Sequence, residues 1–212
     1  MVRSPPAPRI FVIPATEVDE AIVFGRGPSD WYHLLKWDMA EDKFEAGAWF
    51  RGRMYPEKCD LSPDGRLLLY FVLQGNKSGT SYTHAWTAVS RPPWLTALGL
   101  WPQGTTYGGG GRFVANRHVV IRAGSAVPHP DHPARGLRVE LGNPEPRASS
   151  DEVEGADWSG RDRKRRLIFS KDGKIFRRTA NGSDTPLIDL AGATPDPRPS
   201  PPWALRQIYR LR

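Results

Sequence analysis

His129-Pro130-Asp131-His132 places two imidazoles and a carboxylate within four residues, a donor set that suits zinc, nickel or copper. The interleaved prolines stiffen this stretch and no further ligand pair accompanies it, so a solvated loop accounts for it more simply and no metal is expected. Asp30, His33 and Asp38 lie close enough in sequence for acid-base work, although polar positions in a loop and a strand explain them as well. The chain carries no G-x-S-x-G elbow, no H-E-x-x-H and no phosphate-binding G-x-x-x-x-G-K-[ST]. No catalytic residue is assigned and no cofactor is expected.

Binding chemistry has more candidates. In "SRPPWLTALGLWPQGTTY", Trp94, Trp101 and Tyr107 stand in one turn-rich stretch, where aromatic side chains beside Pro and Gly bury large areas at little entropic cost. Tyr107-Gly108-Gly109-Gly110-Gly111-Arg112 follows, a run whose bare backbone N–H groups and guanidinium would suit a phosphate or carboxylate. No helix follows to add a dipole, and a hairpin loop needing positive φ is the plainer account. Trp94, Trp101, Tyr107 and Arg112 together are the candidate protein-contact surface.

The charge is uneven. The chain carries +7 formally, and the segment from Arg161 to Arg178 holds nine Lys or Arg against two Asp, enough to supply the whole excess. Arg161, Arg163, Lys164, Arg165 and Arg166, with Arg177 and Arg178 across a hairpin, form a candidate site for an anion or a nucleic-acid backbone. Asp151, Glu152, Glu154 and Asp157 lie just upstream and offer themselves as internal partners.

The elements that must position these residues are strands. With 212 residues, 21 Gly and 21 Pro, the chain has room for a sizeable core and asks for many turns. Its apolar runs are too short to span a membrane as helices, and the start lacks a leader-like apolar region, so a cytoplasmic protein is expected. A single cysteine, Cys59, excludes an intramolecular disulfide and is expected to be buried.

"CDLSPDGRLLLYFV" carries the clearest signal. Ser62-Pro63-Asp64-Gly65 has the residue order of a tight reversal, and Leu67 to Val72 follow without polar alternation, as in a strand covered on both faces. "RLIFSKDGKIFRR" predicts a hairpin on Asp172-Gly173, with Lys171 facing Lys174, Phe169 facing Phe176, Leu167 facing Arg178, and a solvated turn. Four phrases repeat the order of turn cluster then apolar strand: "VIPATEVDEAIVF", "LSPDGRLLLYFV", "LWPQGTTYGGGGRFV" and "DWSGRDRKRRLIFS". Aligned on Pro14, Pro63, Pro102 and Ser159, they recur at intervals of about 49, 39 and 57 residues. "WYHLLKWD", "YTHAWTAV", "HVVIRA" and "LRVEL" supply further strands between them.

"LSPDGRLLLYFV" resembles the strand-turn-strand opening of TolB-type and WD-type β-propeller repeats, and "LIFSKDGKIFRR" is similar to the inner hairpin of such a blade. The resemblance covers about a quarter of the chain. It implies radially packed sheets used as a platform and carries no catalytic residue over.

The expectation is therefore an all-β, propeller-like array of about four short antiparallel sheets, closed as a small disc or forming half of a larger ring. Residues 1–192 would form one domain with long loops at 123–136 and 142–155. Residues 193–212 would be a proline-rich segment with a closing strand in "LRQIYRLR". The leading functional expectation is a non-catalytic interaction module for a protein partner. The alternatives are a nucleic-acid-associated protein using the hairpin 161–178, and a hydrolase or lyase with an axial site.

Overall fold

The computed structural model describes residues 7–27, 29–77, 79–145 and 153–208. Their strands form four separate sheets, none of them closed on itself. The first is an antiparallel meander of β1 (Arg9–Pro14), β2 (Glu20–Arg26), β3 (Trp31–Asp38) and β4 (Lys43–Arg51). In the second, β5 (Arg53–Met54) and β6 (Asp60–Leu61) both pair with β7 (Leu68–Leu73), followed by β8 (Ala85–Ser90) and β9 (Gly99–Pro102). A 3-10 turn at Pro56–Lys58 splits what would otherwise be one edge strand.

The third sheet contains β10 (Gly111–Ala115), β11 (His118–Ile121) and β12 (Arg138–Leu141). β12 runs parallel to β11, which departs from the expected all-antiparallel pattern. The connection over residues 122–137 makes this possible, since it is long enough to return the chain to the starting end. The fourth sheet is the antiparallel meander β13 (Trp158–Arg161), β14 (Leu167–Lys171), β15 (Lys174–Arg178) and β16 (Asp184–Asp189).

Both strong sequence readings correspond to observed elements. Leu67 to Val72 are all buried: Leu68, Tyr70 and Val72 pack toward the first sheet, Leu67 and Leu69 toward the third. A strand covered on both faces has no use for polar alternation, and each large apolar side chain so buried contributes about 1.5–3 kcal/mol. In the turn before it, Gly65 N–H donates to Ser62 O at 2.9 Å and Gly65 takes φ +71°. The Asp172-Gly173 hairpin has φ +51° and +75° at its two central residues, and it pairs Phe169 with Phe176 and Lys171 with Lys174. Its turn is only half in water, because Gly173 is buried against Pro8 and Ala191, and Lys174 is neutralised by Asp189 at 3.0 Å.

Three apolar cores join the sheets. On β2, Ile22 and Phe24 face the second sheet while Ala21 and Val23 face the fourth, so the first sheet is packed on both sides. Val89, Leu98 and Trp101 join the second sheet to Val119 and Ile121 of the third. No core cluster of the described residues joins the third sheet to the fourth.

The first hairpin turn of every sheet nevertheless meets at Glu17, in the β1–β2 connection. Glu17 N–H donates to Pro63 O at 2.9 Å, Asn116 Nδ2 donates to Glu17 Oε2 at 3.3 Å, and Arg163 Nη1 donates to Glu17 O. Asp64 N–H completes the junction by donating to Asn116 Oδ1 at 2.9 Å. The first hairpin turn of the third sheet is therefore Ala115-Asn116-Arg117, downstream of Pro102, on which the third repeat phrase is aligned. At the C-terminal end, Pro202–Leu205 is a 3-10 turn and no strand follows up to Ile208. The carbonyls of Arg206 and Gln207 accept from the Arg91 guanidinium instead of a neighbouring strand. The remainder of the expected closing strand, and Asp151 and Glu152, lie outside the described residues.

Candidate functional site

Trp94, Trp101, Tyr107 and Arg112 do not share one surface. Trp101 is 1% exposed in the core, its indole donating to Ala126 O at 2.9 Å. Trp94 is half-buried, with its carbonyl accepting from Ser90 Oγ at 2.6 Å. The Arg112 guanidinium is spent on the backbone, donating to the carbonyls of Cys59, Gly111 and Glu57. Tyr107 alone projects, at 92% exposure.

The glycine run has the opposite polarity to an anion cradle. Lys58 Nζ donates to the carbonyls of Thr106 and Gly108, both at 2.9 Å, and sits over the rings of Tyr55 and Phe71. The loop thus turns its oxygens inward onto a lysine ammonium. Gly109 and Gly110 are at φ +80° and +78°, and a Cβ on Gly109 would stand 2.1 Å from Phe71. Close approach to an aromatic ring, together with left-handed backbone, explains the glycines.

Of the seven basic candidates, Arg166, Arg177 and Arg178 pair with carboxylates, none of them the upstream acids that were expected. Arg177 forms two bonds to Asp42 at 2.5 and 2.6 Å, Arg178 two to Asp184, and Arg166 pairs with Asp162 at 2.6 Å. Asp157 N–H donates to Ser170 O on the hairpin at 2.8 Å, while its carboxylate lies 3.9 Å from Arg9. Arg161, Arg163, Lys164 and Arg165 remain on the surface of the β13–β14 turn, with Arg161 donating to Arg165 O and Arg163 bound to Glu17.

His129 belongs to a packed cluster. Ser81 Oγ lies 3.0 Å from His129 Nε2 and Asp131 Oδ2 3.8 Å from Nδ1, an order of groups resembling a nucleophilic triad. The proton positions oppose that chemistry. Asp131 N–H donates to Nδ1 at 3.3 Å, so the hydrogen-bond partners assign the ring proton to Nε2, facing the serine. A general base must offer a bare nitrogen there. The Tyr82 ring stacks on His129 at 4.3 Å while its hydroxyl donates to Asp131 at 3.0 Å, and His132 Nδ1 is 2.9 Å from Ala97 O. Asp30, His33 and Asp38 are likewise dispersed: Asp30 pairs with Arg51 at 3.2 Å, His33 stacks on Trp49 at 4.2 Å, and Asp38 accepts from the backbone of Ala40 and Glu41.

A cleft between the first and second sheets was not anticipated. Arg9 begins β1 and Arg26 ends β2, so strand pairing sets them opposite each other at the end away from the Glu17 junction; Arg53 begins β5 of the second sheet and reaches the same place where Tyr32 bonds Met54. The three arginines line this cleft of about 460 Å³ with Phe11, Tyr32 and Tyr55. Glu57 and Asp157 also line it, and burial raises the Asp157 carboxyl above its usual range while the backbone and Arg9 oppose the shift. Tyr32 donates to Met54 O at 3.2 Å, tying the first sheet to the second across the cleft floor. Its phenol is pushed upward by burial, against the opposing field of Arg26 and Arg53.

Among the described residues neither Arg26 nor Arg53 has a carboxylate partner; Arg53 lies over the Tyr55 ring at 5.0 Å. A second hollow of about 370 Å³ shares Arg26, Tyr32 and Arg53 and continues to Gly52 and Gly75. A third, of about 310 Å³, continues from Gly52 and Gly75 to Gln74 and Asn76. The feature is a groove along the rim of two sheets. No protein-family model matches the chain, and no curated protein or solved structure matches it either.

Proposed function

We propose that the protein is a non-catalytic interaction module of propeller-like build, whose groove at Arg9, Arg26 and Arg53 receives an acidic, extended segment of a protein partner. Support for the build comes from the four first-hairpin turns gathered at Glu17 and from strands covered on both faces. The observation that carries the binding reading is the pair Arg26 and Arg53. Two guanidiniums bear on one buried phenol and, among the described residues, neither is ion-paired, although Glu57 lines the same cleft; a bound acid completes the arrangement with charge-assisted hydrogen bonds. The elongated shape favours an extended chain over a compact anion, and aromatic walls at Phe11 and Tyr55 offer contact area beside the charges.

The test is fluorescence anisotropy with a labelled tri-glutamate peptide and its glutamine counterpart. The acidic peptide is expected to bind, and the double substitution Arg26→Gln, Arg53→Gln to weaken it about tenfold or more. Equal binding of the glutamine peptide, or indifference to the double substitution, would overturn the reading.

A further inference from the structure

A second cationic surface lies on the opposite side of the molecule, around the Glu17 junction. The pairing of Leu68 with Ser90 sets Arg66 beside Arg91 at the top of the second sheet. The Arg91 guanidinium donates to Arg206 O at 3.1 Å, which brings the C-terminal segment to the same place. Asn116, bonded to both Glu17 and Asp64, carries Arg117 there on the third sheet's turn. The Arg91 guanidinium is depressed below its ordinary value by burial first, then by Arg117, Arg206 and Arg66, consistent with four arginines crowded together.

The fourth sheet adds to this surface. Its turn is anchored to Glu17 by Arg163, leaving the Lys164 and Arg165 side chains exposed without a partner among the described residues. Acidic residues at the junction are Glu17, Asp19, Glu20, Asp64 and Asp162; Glu20 is paired with Lys36 at 2.8 Å, Asp162 with Arg166 at 2.6 Å, and Asp64 lies 3.9 Å from Arg66. Trp203, whose carbonyl accepts from Arg206 N–H at 3.3 Å, is a large aromatic side chain left 42% exposed.

We infer that this face binds single-stranded nucleic acid, its phosphates spread over the arginines of three turns and the C-terminal segment and a base stacked on Trp203. The composition fits that ligand. All but one of the cations are arginine, which holds phosphate bidentately, and an exposed indole beside them is the stacking partner that single strands use. The scattered half-exposed Trp203 and Leu205 form no apolar surface of the kind a lipid bilayer requires. This face shares no residue with the arginine groove.

The experiment is anisotropy of a labelled single-stranded DNA, a labelled duplex, and a sedimentation assay with phosphatidylserine vesicles. The quadruple substitution Arg66→Gln, Lys164→Gln, Arg165→Gln, Arg206→Gln is expected to weaken the single strand at least about tenfold. It should also flatten the log-log salt dependence by roughly 0.7 for each phosphate no longer neutralised. Trp203→Ala should weaken affinity with the salt slope unchanged, and Arg26→Gln with Arg53→Gln should leave both as they were. The inference is overturned by absence of binding at low salt, by equal losses from the groove variant, or by vesicles bound in place of DNA. Duplex bound as tightly with Trp203→Ala silent would overturn the stacking assignment and the single-strand reading with it.

Discussion

Arg177 grips Asp42 through two parallel hydrogen bonds of 2.5 and 2.6 Å, tying the β3–β4 turn of the first sheet to β15 of the fourth. Both side chains are mostly shielded, at 14% and 31% exposure, so loss of one partner strands the other in a poorly solvated site. Arg177→Gln is expected to lower stability by about 2 kcal/mol. In urea titrations the midpoint should fall with little change in slope, and Arg177→Gln with Asp42→Asn should cost less than the two singles added together.

His33 gives the fold a pH dependence. Burial against Trp49 pushes its pKa from 6.5 down to about 4, so the folded state keeps the ring neutral where the unfolded chain takes a proton. The unfolded state then binds more protons between these two values, and stability declines as pH falls from about 6.5 to about 4. The full loss is at most about 3 kcal/mol. Replacing the ring by His33→Phe, which keeps the stack, should flatten this part of the profile in chemical denaturation at successive pH values.

The glycine run offers a contrast between neighbours. A Cβ at Gly109 would lie 2.1 Å from Phe71 with the backbone at φ +80°, whereas at Gly108 the nearest atom is 3.6 Å away. Gly109→Ala is expected to cost about 3 kcal/mol or more and Gly108→Ala less than about 1. Thermal melts of the two variants are sufficient to check it.

How much of this was legible in the linear chain depended on where each partner lay. Leu67 to Val72 announced a strand walled on both sides because the requirement falls on consecutive residues. Asp172-Gly173 fixed its own register for the same reason. The turn that carries the third sheet to the junction was not legible because Pro102-Gln103-Gly104 carries stronger turn residues than Ala115-Asn116-Arg117, whose asparagine acts through contacts with Glu17 and Asp64 in other sheets. Trp101 and Arg112 looked like surface groups because they stand among turn residues, yet the core and three carbonyls claim them. The groove was invisible because nothing in the spacing of Arg9, Arg26 and Arg53 marks them as neighbours before the strands pair.

Cys59 reports on the whole fold. It is fully buried, donates to Tyr55 O at 3.2 Å, and burial pushes its thiol up to about 12. Iodoacetamide should leave it unmodified in the native protein near neutral pH and alkylate it fully in denaturant. Mass spectrometry of the labelled chain would measure this, and appreciable native labelling would contradict the burial.

The core between the first and fourth sheets unites Ile10, Val12 and Val23 with Trp158, Ile168 and Leu190. During translation the strands of the first sheet must therefore emerge with one apolar side uncovered, and they stay so until the ribosome has delivered the fourth sheet, seconds to tens of seconds later at ordinary elongation rates. The nascent chain is vulnerable to sticking in that interval, which ends when the fourth sheet returns to cover the first.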